Sequence, residues 1–229
     1  NGIDYQENDP ETDTRIYKNF NAEDIEGKYE NKRMLQEFLG LPQREEVPVI
    51  GIVSRLVGQK GFDLIAHVLD EMLQMDIQLA VLGTGDNNYE EMFRNAAVRY
   101  PGKVSANIKY DGALAQRVYA GTDMFLMPSL YEPCGLSQIF SLRYGTVPIV
   151  RETGGLKDTV MPYNEFTGEG TGFSFANYNA HEMLDTVKRA IGFYKNKDIW
   201  EKIVKSGMKQ DFSWNKSAKE YMELYEKMV

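Results

Sequence analysis

The residues able to do chemistry cluster between Tyr131 and Gly155, in the run YEPCGLSQIFSLRYGTVPIVRETGG. Glu132 and Pro133 stand just ahead of Cys134-Gly135-Leu136, where a helical pattern begins. A short apolar strand, Val147 to Val150, then leads into a second glycine turn, Thr153-Gly154-Gly155. Helix starts present free N–H groups to anions, and a carboxylate beside them can hold hydroxyls or a developing positive charge. Two such starts close together, one headed by a carboxylate, describe a cradle for a phosphorylated sugar. Glu132 follows an aromatic residue in a loop, where an acid has little structural use unless it caps the helix opening near Gly135. That capping role is the competing explanation.

Other loops add candidates. In Ser54-Arg55-Leu56-Val57-Gly58-Gln59-Lys60-Gly61, Arg55 can meet a diphosphate with its fork and Lys60 as a point charge. Taken alone, an Arg and a Lys in a loop are more often solvated charges. No Gly-Lys-Ser/Thr follows, so a phosphate loop of the NTPase kind is disfavoured. Gly83-Thr84-Gly85-Asp86 opens like a dinucleotide fingerprint, but Tyr89 and Glu90 stand where its third glycine would fall. A tight turn capped by Asp86 explains it equally well. Tyr110, expected at a strand end ahead of Asp111-Gly112, offers a ring for base stacking, although most such tyrosines only pack. Cys134 suggests a nucleophile, yet the only two histidines, His67 and His181, fall in helical patterns. A Cys–His pair and a zinc site are both disfavoured.

Elements that alternate strictly must position these loops. Residues 1 to 45 are polar, with one helix from Lys28 to Leu39 ended by Gly40-Leu41-Pro42. From Val47 onward, strands are expected at Val47–Val53, Ile77–Leu82, Val104–Tyr110, Met124–Met127 and Val147–Val150. Helices are expected between them at Phe62–Leu73, Tyr89–Arg99, Leu114–Ala120 and Gly135–Tyr144. Short apolar strands alternating with helices form a parallel sheet covered on both faces, with ligands at the carboxyl ends of the strands. Residues 160 to 172 look like a surface loop, and helices over Ala180–Tyr194, Asp198–Lys205 and Lys216–Met228 fill the rest. The stripe Tyr221, Leu224, Tyr225 and Met228 is packing surface.

Composition narrows the partners. With 26 Lys and Arg against 34 Asp and Glu, the net charge of −8 disfavours a nucleic-acid surface. An anionic ligand therefore needs a local positive pocket, which leaves few candidates. The single cysteine fits a reducing compartment. Nothing approaches the roughly 18 consecutive apolar residues of a membrane span, and no signal peptide is seen, so a cytoplasmic protein is expected. The start at Asn1-Gly2-Ile3-Asp4, with no initiator Met, suggests a piece of something longer.

Taken together, these residues resemble the carboxyl-terminal lobe of bacterial glycogen synthases and plant starch synthases. The resemblance is carried by NGID from Asn1, GIVSRLVGQKGFDL from Gly51, LGTGD from Leu82, YAGTDMFLMPSLYEPCGLSQ from Tyr119, LRYGTVPIVRETGGLKDTV from Leu142 and FSW from Phe212. EPCGL together with TGGL is specific, whereas GTGD is not. The resemblance implies a Rossmann-like doubly wound parallel sheet, one lobe of a two-lobe GT-B enzyme. It also implies transfer of glucose from ADP-glucose to the non-reducing end of an α-1,4-glucan, with retention and without a metal or other cofactor. On that basis Arg55 and Lys60 neutralise the diphosphate, and Glu132 holds sugar hydroxyls or lies close to the transferred glucose. The N–H groups of Gly135, Leu136 and Ser137 face phosphate or sugar, Tyr110 stacks on adenine, and Thr153, Gly154 and Gly155 line the phosphate end. Ser54 and Gly83 complete the substrate set, and Cys134 becomes a small wall residue.

The wider retaining pattern places a second Glu where this chain has Phe140, an aromatic that the glycogen and starch synthases tolerate. The resemblance further implies a connector over 1–45, the donor lobe over 46–195 and helices over 196–229 that reach an amino-terminal lobe not included in this chain. Because the transfer cleft lies between lobes, this half is expected to bind nucleotide weakly and to transfer nothing. Two alternatives remain: a lobe of another GT-B transferase using a UDP- or GDP-sugar, and a nucleotide-binding scaffold without activity.

Overall fold

A computed structural model describes residues 2–228. Six parallel strands form one sheet in the order β3-β2-β1-β4-β5-β6, with β1 Val49–Val53, β2 Gln78–Leu82, β3 Val104–Asn107, β4 Met124–Met127, β5 Val147–Arg151 and β6 Phe173–Phe175. The central strands read as continuous apolar runs because both of their faces are covered. The helices are α1 Glu26–Phe38, α2 Phe62–Gln74, α3 Asn87–Arg99, α4 Gly112–Gly121, α5 Ser137–Arg143, α6 Gly154–Thr159, α7 Ala180–Tyr194, α8 Lys197–Met208 and α9 Trp214–Glu226. Right-handed crossovers put α2 and α3 on one face, where α7 joins α2; α4 and α5 cover the other, with α1 against α4 and α8 against α5. The chain winds outward from β1 to β3, returns, and winds outward again from β4 to β6. The β1/β4 boundary is therefore the topological switch point.

Local chemistry explains most boundaries. Asp111, Asn179, Asn196 and Ser213 each accept a backbone N–H at the start of α4, α7, α8 and α9. Asp86 occupies the corresponding position of α3, but its side chain makes no cap bond; Glu90 instead accepts the Gly85 N–H at 2.9 Å. One helix and one strand exceed the sequence expectation, α6 and β6. The loop after α6 contains a small paired turn, Asn164 against Glu169, and then feeds β6. The Phe173 ring of β6 stacks on Trp200 at 6.3 Å, so the strand is held by packing more than by its own length. β3 ends at Asn107 rather than Tyr110, and α5 starts at Ser137 rather than Gly135.

The leading segment is built into the lobe. Ile3, Ile16, Phe20 and Ile25 are buried, and Asp13 accepts a 2.5 Å bond from the Tyr144 hydroxyl. Asn31 of α1 fixes the Tyr17 N–H and the Lys18 carbonyl. Asn1 of the NGID motif lies outside the described residues; Ile3 pairs with Ser213 and donates to the Phe212 carbonyl at 2.8 Å. α9 buries none of its residues, and Trp214, Tyr221, Leu224, Tyr225 and Met228 are all more than half exposed. The stripe read as packing surface is therefore largely exposed in this structure.

Candidate functional site

Two loops leave the sheet side by side at the switch point and make a recess of about 210 Å³. The first follows β1 through Ser54 and Arg55 to a single 3₁₀ turn, Gly58–Lys60. The second follows β4 through Pro128 and Ser129 to Glu132. Gly61 has φ +80°, and a Cβ there would lie 2.0 Å from the Pro128 carbonyl, so only glycine lets the loops pass. They are stitched together by Leu130 N–H donating to the Gln59 carbonyl at 2.9 Å and by the Gln59 amide donating to the Tyr131 carbonyl at 3.2 Å.

Within this recess the Lys60 ammonium donates to Glu132 Oε2 at 2.5 Å, and the Ser129 hydroxyl donates to the same oxygen at 3.3 Å. The side chains of Lys60 and Glu132 are 19% and 10% exposed, so the pair is largely shielded yet opens to the recess. Arg55 is exposed and forms no ion pair among the described residues. The rim therefore carries one free cation and one engaged cation around a single carboxylate, a local excess of positive charge on an acidic chain. Glu132 does not cap α5, whose first turn has no side-chain cap.

Seven of the expected site residues line this recess: Ser54, Arg55, Lys60, Glu132, Gly135, Leu136 and Ser137. Ser129, Met127 and Phe62 line it as well and were not singled out from sequence. Ser129 sits in the quoted motif, but a serine in a loop signals nothing by its type alone.

The remaining candidates lie behind or beyond the recess. Gly83 is packed so closely that a Cβ would stand 1.8 Å from the Ser54 carbonyl, which makes it a spacer between the β1 and β2 exits. Thr153, Gly154 and Gly155 support the Glu132 loop from behind. The Gly155 N–H donates to the Glu132 and Pro133 carbonyls at 3.1 and 3.2 Å, and a Cβ on Gly155 would be 2.0 Å from the Cys134 carbonyl. That N–H is engaged with protein and is not a free anion donor. The Cys134 thiol is half-buried and lies 3.3 Å from the Gly135 carbonyl. Tyr110 stands outside the recess, 94% exposed, in the loop beyond β3. The Phe140 ring packs 5.7 Å from Tyr119, whose hydroxyl burial pushes up to about 12. At this position the chain carries core where the wider pattern carries a carboxylate.

Arg151 holds the Glu132 loop from the far side, its guanidinium donating to the Ser129 carbonyl at 2.8 Å and to that of Leu130. Among the described residues no group of three or more His, Cys, Asp or Glu is set to hold a metal ion. His67 and His181 pack edge to face at 5.5 Å, far in role from Cys134. No described helix is long and apolar enough to cross a membrane.

Comparison with known proteins agrees with this architecture. The chain is 57% identical over its whole length to the glycogen synthase of Clostridium novyi (strain NT) and 56% to that of Desulforamulus reducens, covering 48% of each. The chain thus spans about half the length of the curated relatives it matches. The catalytic domain of starch synthase IV from Arabidopsis thaliana, bound to ADP and acarbose, superposes with a TM-score of 0.92 at 37% identity, over 99% of this chain and 48% of that one. A sucrose-phosphate synthase from Thermosynechococcus elongatus, at 22% identity and a TM-score of 0.63, shares the fold over 85% of this chain and 48% of its own. The family model for glycosyl transferases group 1 matches residues 36–206, from the last turn of α1 to near the end of α8, and the chain belongs to that family.

Proposed function

We propose that this chain is the donor-binding, carboxyl-terminal half of an α-glucan synthase, which moves glucose from ADP-glucose to the non-reducing end of an α-1,4-glucan with retention. The observation that carries the reading is the convergence of Arg55, Lys60 and Glu132 in one recess at the switch point. Nucleotide-sugar transfer releases a diphosphate whose negative charge grows as the glycosidic bond breaks. A guanidinium and an ammonium beside the diphosphate stabilise that growth more than they stabilise the bound donor. Glu132, held in a rigid loop, accepts sugar hydroxyls and sets the glucose beside the diphosphate. In this reading Arg55 and Lys60 supply the neutralisation, and no metal is invoked.

The exposed Tyr110 ring supplies a platform for adenine, while Gly83 and the Thr153–Gly155 turn act by shaping the loops. ADP as the nucleotide is supported by the ADP-bound starch synthase relative. The glucan acceptor and the cleft that closes on it involve the amino-terminal lobe, so this half alone binds nucleotide and transfers nothing. A cytoplasmic setting suits the single thiol and the absence of a described membrane-length helix. Calorimetric titration of the chain with ADP, UDP and GDP tests the reading. ADP should bind best, and Arg55→Ala or Lys60→Ala should each cost roughly 1.5–3 kcal/mol, the value of a charge-assisted contact. Unchanged ADP affinity in both variants, or a preference for UDP or GDP, would overturn it.

A further inference from the structure

We infer that the Lys60–Glu132 pair is an exchange switch that makes the recess prefer a sugar-bearing nucleotide over the bare diphosphate. The inference rests on the donor-site reading above and adds a discriminating role for Glu132. The two cations of the site start from different states. Arg55 is exposed and uncommitted, so it can meet a phosphate without breaking anything. Lys60 already donates to Glu132 Oε2 at 2.5 Å, and a phosphate must draw it away from that carboxylate.

Glu132 cannot follow or swing out to water. Its loop is fixed through Gln59, through the Gly155 N–H on its own carbonyl, and through Arg151 on the Ser129 and Leu130 carbonyls. A carboxylate left at 10% exposure keeps only one protein donor among the described residues, the Ser129 hydroxyl at 3.3 Å, and exchanges an ion pair for weaker partners. Glu132 Oε1 has no protein donor, yet it is not among the buried unpartnered atoms, so it remains open to the recess. Sugar hydroxyls are donors and can satisfy the carboxylate after the ammonium leaves. A nucleoside diphosphate alone brings only acceptors to that place. The bare product is thereby bound less well than its phosphates would allow.

Calorimetry with ADP and ADP-glucose on the unaltered chain, Glu132→Gln and Arg55→Ala tests the switch. Removing the carboxylate frees Lys60, so Glu132→Gln should bind ADP about two- to tenfold tighter, the scale of a half-shielded ion pair. The same variant should bind ADP-glucose no better, or worse, because the charged acceptor is lost and one of its two acceptor oxygens becomes an amide donor. Arg55→Ala should weaken both ligands by the same factor. Equal tightening for ADP and ADP-glucose would show a general loss of negative charge and overturn the switch, as would ADP binding that is unchanged or weaker. Binding of neither ligand by the unaltered chain would overturn the donor-site reading and the switch together. Thermal unfolding checks that the variants fold, and Glu132→Ala gives the same comparison if the glutamine variant does not.

Discussion

Each end of the sheet carries a lysine–carboxylate arrangement, and the two differ in one respect. At the carboxyl ends of the strands, Lys60 meets Glu132 in an open recess. At the amino ends, Lys28 and Lys32 of α1 reach inward to the segment before β4. The Lys28 ammonium donates to the carbonyls of Ala120, Thr122 and Tyr144 and to the Thr146 hydroxyl, all at 2.9–3.1 Å. Lys32 is bound by Asp123 at 2.8 Å, the Tyr194 hydroxyl at 2.6 Å and the carbonyls of Glu45 and Val47. Asp123 also accepts the Val49 N–H at 2.8 Å. A recess of similar volume, about 210 Å³, opens beside them, walled by Tyr29, Tyr194 and Trp200. Its buried cations are saturated by protein acceptors and have nothing left to offer a ligand. Burial alone thus does not mark a functional charge. Unused bonding capacity does, and only the upper site has it.

The contrast can be broken most decisively at Lys28. Lys28→Met removes the ammonium donor from the buried Ala120 and Tyr144 carbonyls, at about 1–3 kcal/mol each, while the Thr122 carbonyl keeps the Thr146 hydroxyl. Chemical denaturation should show a loss of at least about 2 kcal/mol, with ADP affinity of the folded fraction unchanged. A loss of ADP affinity in that fraction would mean that the two ends are coupled.

The upper site should answer to backbone fit. Gly155→Ala forces the Thr153–Gly155 turn away from the Cys134 carbonyl, costing about 1–3 kcal/mol as overpacking. It should also weaken ADP binding, because the same contact seats Glu132. Normal affinity in a destabilised variant would separate the turn from the site.

A smaller effect is read by pH. Burial pushes the Lys28 ammonium from an ordinary 10.5 down to about 7, with Lys32 adding repulsion and Asp123 opposing both. Below about 7 the folded and unfolded chains both hold this proton. Between that value and 10.5 only the unfolded chain holds it, so the contribution of Lys28 to stability rises with pH. From pH 7 to pH 9 the unaltered chain should gain about 2 kcal/mol relative to Lys28→Met. Parallel pH profiles for the two proteins would show that the lysine keeps its proton throughout.

Much of this was legible in the residues. The alternation of Val47–Val53, Ile77–Leu82, Met124–Met127 and Val147–Val150 with amphipathic helices specifies a parallel sheet, because strands covered on both faces must be apolar throughout. Arg55, Lys60 and Glu132 stood out because charged side chains in glycine loops after strands have few structural duties. Six of the seven recess-lining candidates lie within two residues of a strand end or a helix start, where sequence signals are strongest; Glu132 sits in mid-loop between β4 and α5. β6 escaped notice because a three-residue strand after a glycine-rich loop carries too little periodicity. The buried state of α1 was not legible either, since two lysines and an asparagine in a polar segment give no sign of facing inward.

What the sequence determined by itself was the order of elements, the candidate cations and carboxylate, and the family, since these depend on residue type and spacing along the chain. Only the tertiary structure decided which charges are free, because that depends on acceptors from distant segments such as Ala120, Thr122 and Tyr144. It likewise separated Gly155 and Gly83, whose missing side chains admit neighbouring carbonyls, from residues that face the recess. Pairing across 72 positions, as between Lys60 and Glu132, is set by the juxtaposition of β1 and β4 and is not a property of either segment.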